Sequence, residues 1–332
     1  MKLKRVIFDN DAAVDDAIAL VVLVSHPNIE LRAITISCTG ETRGEPGARN
    51  FSRICQMMGQ KNIPIAYSSS ASFSKEQNPF PEWLRNHVDN LLKFTEVPDF
   101  HDVSVSDSAI DLMRTVLENS EKEKITIVAT GPLTNIADLI KQYPALLNKI
   151  ENIVIMGGAI HVCGNVPLLN PGSPFVDAEL NIYADIKAAN IVFSSGIPIT
   201  LVPLDVTCQV PLTKEFYEEM SQQITPALKF IFHLLKGRKD TEDGLRGDGT
   251  FFSTFHLWDP LAAIIAAEPT IAKYEAVALS VDSDSGKILA KQASPDELPA
   301  ALFAKEIDQP EKVLSLLIDT VRAYETAEDH KI

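Results

Sequence analysis

The chain has 332 residues, 45% hydrophobic and 23% charged, which is the composition of a soluble globular protein. Its 45 acidic and 30 basic side chains give a net charge of −15, and an acidic surface repels phosphate backbones, so we expect no nucleic-acid partner. No apolar run is long enough to span a membrane, and Val6-Ile7-Phe8, which Asp9 ends, is far too short for the apolar region of a signal peptide, so we expect no such peptide. The four cysteines have no paired spacing, so we expect reduced thiols in a cytoplasmic protein.

Strand and helix patterns alternate along most of the chain. The predicted strands are 4–9, 31–37, 62–67, 124–129, 152–156 and 198–203. The predicted helices are 14–25, 46–59, 81–94, 106–119, 132–142, 185–195, 212–221, 224–236 and 257–267. This alternation predicts one α/β domain over residues 1–332, with a mainly parallel, Rossmann-like central sheet flanked by helices. Segments 68–80, 159–178 and 238–254 have no regular pattern, and we expect long, functional loops there.

The last part of the chain has a different pattern. Segments 272–281 and 286–292 flank Asp284-Ser285-Gly286, which predicts a β-hairpin. A strand near 300–306 and a helix over 310–326 follow, with Pro310 in the first turn of that helix. We therefore expect a C-terminal hairpin and helix to be added to the parallel sheet.

Four carboxylates lie within eight residues near the amino terminus: Asp9, Asp11, Asp15 and Asp16. Like charges at this density repel, and burial makes each ionised carboxylate harder to hold, so a divalent cation is the simplest compensation. The cluster falls between a predicted strand and a predicted helix, where ligands bind in open α/β sheets. Because a helix cap needs only one aspartate, we predict a metal or catalytic site here.

Later motifs add further polar groups. The Gly-Pro turn after Thr130 leaves its carbonyl free to bind a hard cation, although an ordinary strand–helix turn explains the motif equally well. Glu179 and Asn181 lie two residues apart and can pair with vicinal hydroxyls, although singly each fits a solvated loop residue. Asp259 begins a predicted helix, where its default role is a cap.

Two other motifs fit the acidic cluster only in part. An EF-hand loop that began at Asp9 would need Gly and Glu where this chain has Val14 and Leu20. Asp9 and Asp11 also resemble the first motif of haloacid-dehalogenase-type phosphotransferases, with Asp9 as nucleophile and Asp11 as acid/base. That interpretation leaves the other two aspartates of the cluster without a role.

The motifs taken together resemble one family. Asp9, Asp11, Asp15 and Asp16 match an Asp-x-Asp-x-x-x-Asp-Asp motif, and further matches follow in the same order at 130–135, 156–158, 164–165, 179–181, 204–207 and 259–260. This is the pattern of the inosine-uridine nucleoside hydrolase family, which the chain resembles over most of its length. The resemblance implies Ca²⁺-dependent hydrolysis of the N-glycosidic bond of ribonucleosides, and it also suggests a homodimer.

The resemblance implies a role for each matched residue. The implied calcium ligands are Asp11, Asp16, the Thr130 carbonyl and Asp259. The implied ribose ligands are Asp15, Asn165, Glu179, Asn181 and Asp259. Asp11 would also be the general base for a calcium-bound water, and Asp9 would support the ligands from behind. Asn170 is an alternative to Asn165, because the stretch that follows Asn165 is longer than usual.

Departures from the family pattern indicate its purine-specific, inosine-adenosine-guanosine branch. Trp258 stands where pyrimidine-cleaving members often carry a histidine acid, and Gly40-Glu41 replaces the common Gly-Asn after the second strand. A further departure, Ala12-Ala13 in place of the usual Pro-Gly, alters the turn but removes no ligand. In that branch two tryptophans, here Trp83 and Trp258, sandwich the purine and make N7 easier to protonate. Glu41 would lie where an acidic residue of the branch meets the base. Tryptophans also pack in protein cores, so this base site is a hypothesis.

Two alternatives remain open. A broad-specificity or pyrimidine hydrolase would use His256 as its acid, but two residues of helical spacing point His256 away from Trp258. A non-catalytic nucleoside-binding protein would keep the site without turnover. All of these hypotheses share a small-molecule nucleoside as the ligand.

Overall fold

Nine strands form one central sheet in the part of the chain that our computed structural model describes, residues 3–74, 78–99, 104–120, 123–247, 249–292 and 301–329. The strands are β1 Lys4–Asn10, β2 Ile29–Ile36, β3 Ile65–Tyr67, β4 Ile125–Ala129, β5 Ile150–Met156, β6 Ile199–Val202, β7 Ala272–Val281, β8 Ile288–Gln292 and β9 Ala301–Ile307. Their order across the sheet is β3-β2-β1-β4-β5-β6-β9-β7-β8.

The sheet is mainly parallel, as predicted. Every neighbouring pair from β3 to β9 is parallel, and the pairs that β7 forms with β9 and β8 are antiparallel. The first six strands have the doubly wound order in which the chain changes direction between β1 and β4. The α/β prediction is therefore confirmed, together with the C-terminal hairpin. The change of direction places the ends of β1 and β4 at the crevice where such folds bind ligands.

Helices cover the sheet on both faces. They are α1 Val14–Ser25, α2 Glu45–Met57, α3 Glu82–Asp89, α4 Ala109–Glu118, α5 Thr134–Gln142, α6 Val166–Leu169, α7 Leu180–Ala184, α8 Ile186–Phe193, α9 Leu204–Thr207, α10 Lys214–Ser221, α11 Pro226–Arg246, α12 Phe251–Thr254, α13 Trp258–Ala267 and α14 Pro310–Asp329. Alternate residues of β1 enter different hydrophobic clusters, because successive strand side chains point to opposite faces. Phe8 packs with α1, α13 and α14, whereas Ile7 packs with α4, α5 and α8.

The first helix is apolar on all sides, because other elements surround it. All residues from Ala17 to Leu23 are fully buried, and α1 packs against α13, α14 and β2. No helix among the described residues is long and apolar enough to cross a membrane. The burial of α1 fixes its amino-terminal end, which carries Asp15 and Asp16, against the carboxyl edge of the sheet.

Three predicted segments differ most from the structure. The helix predicted at 224–236 continues to Arg246, so most of the expected loop at 238–254 is helical. This second half is polar, and i,i+4 ion pairs such as Lys239–Asp243 stabilise it without an apolar stripe. The helix predicted at 81–94 ends at Asp89 and gives way to a short 3₁₀ segment, and the loop predicted at 159–178 contains α6.

Candidate active site

The acidic cluster lies where β1 and β4 end side by side. Asp9 pairs with Ala129 in the parallel register, and the Thr130 amide donates to the Asp9 carbonyl at 2.9 Å. Asp11 therefore follows β1 at the same edge of the sheet at which Thr130 follows β4. Gly131 maintains this close approach, because a Cβ added there would lie 2.8 Å from the Asp11 amide nitrogen.

Two pairs of carboxyl groups contact each other in this cluster. Asp11 shares a side-chain hydrogen bond with Asp16, and Asp15 shares one with Asp259 at the start of α13. Burial raises the pKa of Asp11 well above its usual value, and the charge of Asp16 adds to the effect. Burial likewise raises the pKa of Asp16 to about 7. The cluster is therefore a place where added positive charge is favourable.

Backbone donors fix the carboxylates of the β1–α1 turn. The Glu41 amide donates to Asp11 Oδ2 at 2.8 Å, and the Ala13 amide donates to Asp16 Oδ2 at 2.8 Å. The Thr130 hydroxyl donates to Asp16 Oδ1. Ala12 has a φ of 57°, in the left-handed region, and its amide is held by Asn10 Oδ1. This turn directs both carboxylates to the same side of the sheet edge.

Asp9 lies behind the cluster and does not line the cavity next to it. Thr35 Oγ1 and Asn135 Nδ2 donate to Asp9 Oδ1 at 2.6 and 2.8 Å. Burial raises the pKa of Asp9 to about 7 in spite of these two hydrogen bonds. Asp9 thus connects β2 and α5 to the end of β1, a position suited to a supporting role.

Glu179 and Asn181 lie on the other side of the Thr130 turn. Glu179 caps α7, because its carboxylate accepts from the amides of Gly158, Asn181 and Ile182 at 2.9 to 3.1 Å. The Asn181 amide group donates to the Thr130 carbonyl at 2.9 Å. The predicted ligand carbonyl of Thr130 is therefore already in contact with a predicted ribose ligand.

Asn165, not Asn170, lies at the cavity. Asn165 Oδ1 accepts from the Leu180 amide at 2.8 Å, and Asn165 is one of the cavity-lining residues. Asn170 lies away from the lining and donates to the Pro79 carbonyl at 2.8 Å. Of the two candidates, Asn165 is therefore the one with access to a ligand.

The cavity beside the cluster combines polar, aromatic and charged side chains with aliphatic ones from Ala13, Met156, Leu168, Leu169 and Leu180. Carboxylate, amide and carbonyl groups come from Asp11, Asp15, Thr130, Asn165, Glu179, Asn181 and Asp259. Aromatic rings come from Phe80, Phe255 and Trp258, with Phe255 and Trp258 in edge contact at 5.1 Å. A charged group of Glu41, Arg238 and Glu242 lies in the same lining. Phe80, Phe255, Arg238 and Glu242 were not predicted from the sequence, and three of these lie within or next to the wrongly predicted loop.

The predicted tryptophan pair is not brought together at the cavity. Trp258 lines the cavity, but Trp83 is not among the lining residues. The Trp83 ring instead lies 5.5 Å from the Arg238 guanidinium and packs against the cluster around Phe80. His256 is also absent from the lining. It precedes α13 and its ring contacts the Trp258 ring at 5.5 Å, so the expectation that helical spacing points it away from Trp258 was wrong.

The cluster has the donor chemistry of a site for a hard cation. Its groups are oxygen donors from carboxylates and one carbonyl, which suit hard cations far better than zinc. Repulsion among buried carboxylates supplies a reason for a cation to bind there. Among the described residues, no three His, Cys, Asp or Glu side chains are arranged as a complete metal-binding group.

Fold and site define an α/β protein with a carboxylate-rich cavity at the topological switch point of its sheet. The sequence model of one family, "Inosine-uridine preferring nucleoside hydrolase", matches residues 6–313. The chain therefore belongs to the inosine-uridine preferring nucleoside hydrolase family, as the resemblance of its motifs had indicated.

The chain is similar to relatives whose names state different specificities. The chain is 34% identical to the "Pyrimidine-specific ribonucleoside hydrolase RihA" of Citrobacter koseri over 73% of its length and 74% of the relative's. A "Purine-Preferring Ribonucleoside Hydrolase" of Gardnerella vaginalis has a solved structure with a TM-score of 0.79, 27% identity and coverage of 97% and 99% of the two chains. The plant nucleoside hydrolase PpNRh1 has a TM-score of 0.79 and 26% identity, with coverage of 96% and 98%.

Proposed function

We propose that the protein hydrolyses the N-glycosidic bond of purine ribonucleosides, with Ca²⁺ as its metal, and releases free base and ribose. The observation that carries the proposal is the composition of the cavity lining, where carboxylates and amides lie beside aromatic rings. The carboxylates and amides can bind the ribose hydroxyls and stabilise the positive charge that develops on the sugar, and the rings can stack on a flat base.

Asp11, Asp16, Asp259 and the Thr130 carbonyl would hold the calcium ion. When bound, the ion would offset the repulsion among these groups and make a water molecule easier to deprotonate. Asp11 would take the proton of the attacking water, because it lines the cavity and the Glu41 amide holds its carboxylate in place. Asp9 would keep Asp11 in place through the end of β1.

Asp15, Asn165, Glu179, Asn181 and Asp259 would bind the ribose hydroxyls. Burial raises the pKa of Glu179, but four backbone amides oppose that effect and favour its ionised form. An ionised Glu179 would accept from a sugar hydroxyl and stabilise positive charge on the ring. Asp15 and Asp259 would do the same from α1 and α13.

Trp258 and Phe255 would contact the base, with Glu41 at its edge. Stacking on an aromatic ring favours purine, the base with the larger flat surface. The described lining residues include no histidine, the side chain best suited to protonate a pyrimidine near neutral pH. Trp83 would act through Arg238 and not as a second stacking ring.

Pyrimidine hydrolysis is the second candidate, and the specificity named for the Citrobacter koseri relative favours it. Measurement of ribose released from inosine, guanosine, adenosine and uridine, with calcium present, tests both candidates. We expect the purine nucleosides to be cleaved faster. Faster cleavage of uridine than of inosine would contradict the purine assignment. A lack of release from all four would contradict hydrolysis itself and would favour a nucleoside-binding protein.

We also propose a cytoplasmic homodimer. The resemblance to the family supports the dimer, and the cysteines, none of which is disulfide-bonded among the described residues, fit a reducing compartment. Sedimentation equilibrium at micromolar concentration would give the mass of the assembly. A mass equal to one chain would contradict the dimer.

A further inference from the structure

Arg238 is a buried cation in the cavity lining. Its residue is 7% exposed and lies on α11, in the segment that was predicted from the sequence to be a loop. The Arg238 Nε donates to Glu242 Oε1 at 2.6 Å, and its Nη1 lies 3.8 Å from Glu41 Oε2. Because α11 fixes one acidic partner and the loop after β2 fixes the other, the guanidinium has a defined position.

Aromatic rings hold the same guanidinium in place. Its central carbon lies 5.5 Å from the Trp83 ring and 5.9 Å from the Phe255 ring. Phe255 in turn touches Trp258 at 5.1 Å. Arg238 therefore belongs to the aromatic part of the lining, where the base is expected.

The neighbouring charges indicate what Arg238 can bind. Burial by itself would lower the pKa of Arg238, but Glu41 and Glu242 outweigh it and raise the pKa, so the side chain remains a cation and a hydrogen-bond donor. A phosphate fits poorly here, because Glu41, Glu242 and Asp15 surround the guanidinium with negative charge. A neutral carbonyl oxygen accepts from an arginine without adding a charge.

Glu41 supplies the complementary group. Its Oε2 atom is buried, lacks a hydrogen-bond partner among the described residues, and lies next to Arg238 Nη1 in the lining. Arg238 offsets its charge at 3.8 Å but lies too far away to donate a hydrogen bond, so a ligand that donates to this buried oxygen relieves the cost of its burial. Arg238 and Glu41 thus present a donor beside an acceptor.

We propose that Arg238 is a specificity-determining residue that, with Glu41, binds the lactam edge of the leaving base. The carbonyl oxygen at C6 of hypoxanthine or guanine accepts from Arg238, and the adjacent N1–H donates to Glu41. Adenine presents the reversed pattern, a donor at C6 and an acceptor at N1, and is disfavoured. The inference rests on the proposed hydrolase function, and uracil has the same lactam edge.

The pair also assists departure of the base. As the water oxygen bonds to C1′, the C1′–N9 bond breaks and its electron pair goes to the base, where part of the charge reaches the carbonyl oxygen. The water gives one proton to Asp11, which afterwards releases it to solvent, and the base takes up one proton from solvent, so the products are ribose and neutral base. Arg238 keeps its proton, and its hydrogen bond strengthens as charge grows on the oxygen.

The test compares substrates with and without the lactam in wild type, Arg238→Met and Arg238→Lys. The substrates are inosine, adenosine, purine riboside, uridine and cytidine, and 4-nitrophenyl riboside reports on the hydrolytic machinery alone. We expect wild type to prefer inosine over adenosine and over purine riboside in kcat/KM, by about tenfold or more. Arg238→Met should remove most of both preferences, and Arg238→Lys should retain part of them.

The control is Arg53→Met, which removes a guanidinium that binds the Val97 and Pro98 carbonyls outside the cavity lining. It should leave the substrate ratios unchanged.

Equal losses on inosine and purine riboside in Arg238→Met would overturn the inference, because a purely structural role affects both alike. Wild type without a preference for inosine would overturn it even if neither variant folds. The uridine-to-cytidine ratio shows whether the pair recognises the same edge in a pyrimidine. Inactivity of wild type on every substrate, 4-nitrophenyl riboside included, would instead contradict the proposed function.

Discussion

Asp11 occupies the position on which the proposed reaction depends most directly. It follows β1, shares a hydrogen bond with Asp16, and is held by the Glu41 amide at 2.8 Å. It lines the cavity, whereas Asp9, two residues earlier, does not. On a regular strand, side chains two residues apart point to the same side, so Asp9 and Asp11 would share one environment. The chain leaves the strand at Asp11 and turns at Ala12, which has a φ of 57°, and this turn contributes to the different environments of the two aspartates.

Replacement of Asp11 by Asn should abolish most of the activity. The amide has nearly the same shape but cannot accept a proton, so we expect kcat to fall by roughly 10²- to 10⁴-fold with the fold unchanged. Ribose release and circular dichroism together measure this. Asp319→Asn, an exposed aspartate on α14, is the matched control and should retain full activity. A kcat of Asp11→Asn within about threefold of wild type would contradict the role of Asp11 as general base.

His87 gives a stability prediction that is independent of the reaction. Its residue is 5% exposed, its ring stacks on Phe94 at 4.6 Å, and burial, with a smaller effect of the Arg238 charge, lowers its pKa to about 4. An unfolded histidine titrates near pH 6.5. Between these values the unfolded chain binds more protons, so the free energy of unfolding falls as the pH drops from 6.5 towards 4.

Urea unfolding at pH 7 and pH 5 tests this for wild type and His87→Gln. Between pH 7 and pH 5 the unfolded chain takes up a proton at His87 and the folded chain does not. This difference should lower the free energy of unfolding of the wild type by about 2 kcal/mol. The glutamine does not titrate, so the variant should lose about 2 kcal/mol less than wild type. Equal losses in the two proteins would show that His87 is not held neutral.

The turn after β2 matters at the scale of elements, because it packs against the turn after β1. A Cβ added at Gly40 would lie 1.9 Å from Asp11 Oδ2, which is too close for any real contact. The next residue, Glu41, donates its amide to that same oxygen and contributes its side chain to the cavity. This one turn therefore positions both the proposed general base and a proposed contact to the leaving base.

Gly40→Ala should impair activity more than stability. The Asp11 carboxylate must shift to make room, and a misplacement of about 1 Å can cost roughly 10²-fold in rate. We expect kcat/KM for inosine to fall by about that factor. Gly244→Ala is the control, because nothing lies within 4 Å of a Cβ added at that exposed position of α11. It should stabilise the protein by up to about 1 kcal/mol without a loss of activity. Wild-type kcat/KM in Gly40→Ala would show that this contact does not position Asp11.

The elements that the sequence predicted well are those with uniform burial. The predicted helix 14–25 agrees with α1, and the predicted strand 4–9 agrees with β1 to within one residue, because continuous apolar runs flank the aspartates. The second half of α11 was missed, because ion pairs and packing on the cavity wall, not an apolar stripe, hold it. Arg238 was missed with it. The orientation of Trp83 towards Arg238 depends on contacts between distant segments, which spacing in the chain does not encode.

The cavity exists only in the assembled molecule. Its lining comes from the β1–α1 turn, the turn after β2, the segment before α3, the ends of β4 and β5, α6 with the residue before it, the start of α7, the middle of α11, the end of α12 with the residue after it, and the start of α13. The order of the strands brings the turns after β1 and β2 and the end of β4 together at the switch point. The packing of α1 against α13 brings Asp15 into contact with Asp259. The free energy of folding therefore depends on the site, because the packing that buries α1 also brings like-charged carboxyl groups into contact.

Calcium should stabilise the whole protein for this reason. The folded chain must bury Asp11, Asp15, Asp16 and Asp259 together. Burial raises the pKa of each, and repulsion by the neighbouring carboxylates adds to the effect at Asp11, Asp16 and Asp259, whereas a bound cation would offset that cost. A ligand that binds only the folded state at a hundredfold excess over its Kd adds about 2.7 kcal/mol. We expect calcium to raise the Tm by several degrees and a chelator to reverse the rise. Magnesium should have a smaller effect, because it demands stricter octahedral geometry.

Asp259→Asn and the control Asp319→Asn separate this site from non-specific binding. Thermal unfolding of wild type and both variants is followed with calcium, with magnesium and with chelator. The calcium-dependent rise should be largely lost in Asp259→Asn, because a predicted ligand is gone, and kept in Asp319→Asn, which lies on the exposed face of α14. Because Asp259→Asn also removes a repulsive charge, its Tm in chelator should equal or exceed that of wild type. Identical melting curves for wild type with and without calcium, or an undiminished rise in Asp259→Asn, would show that the buried carboxylates do not bind calcium.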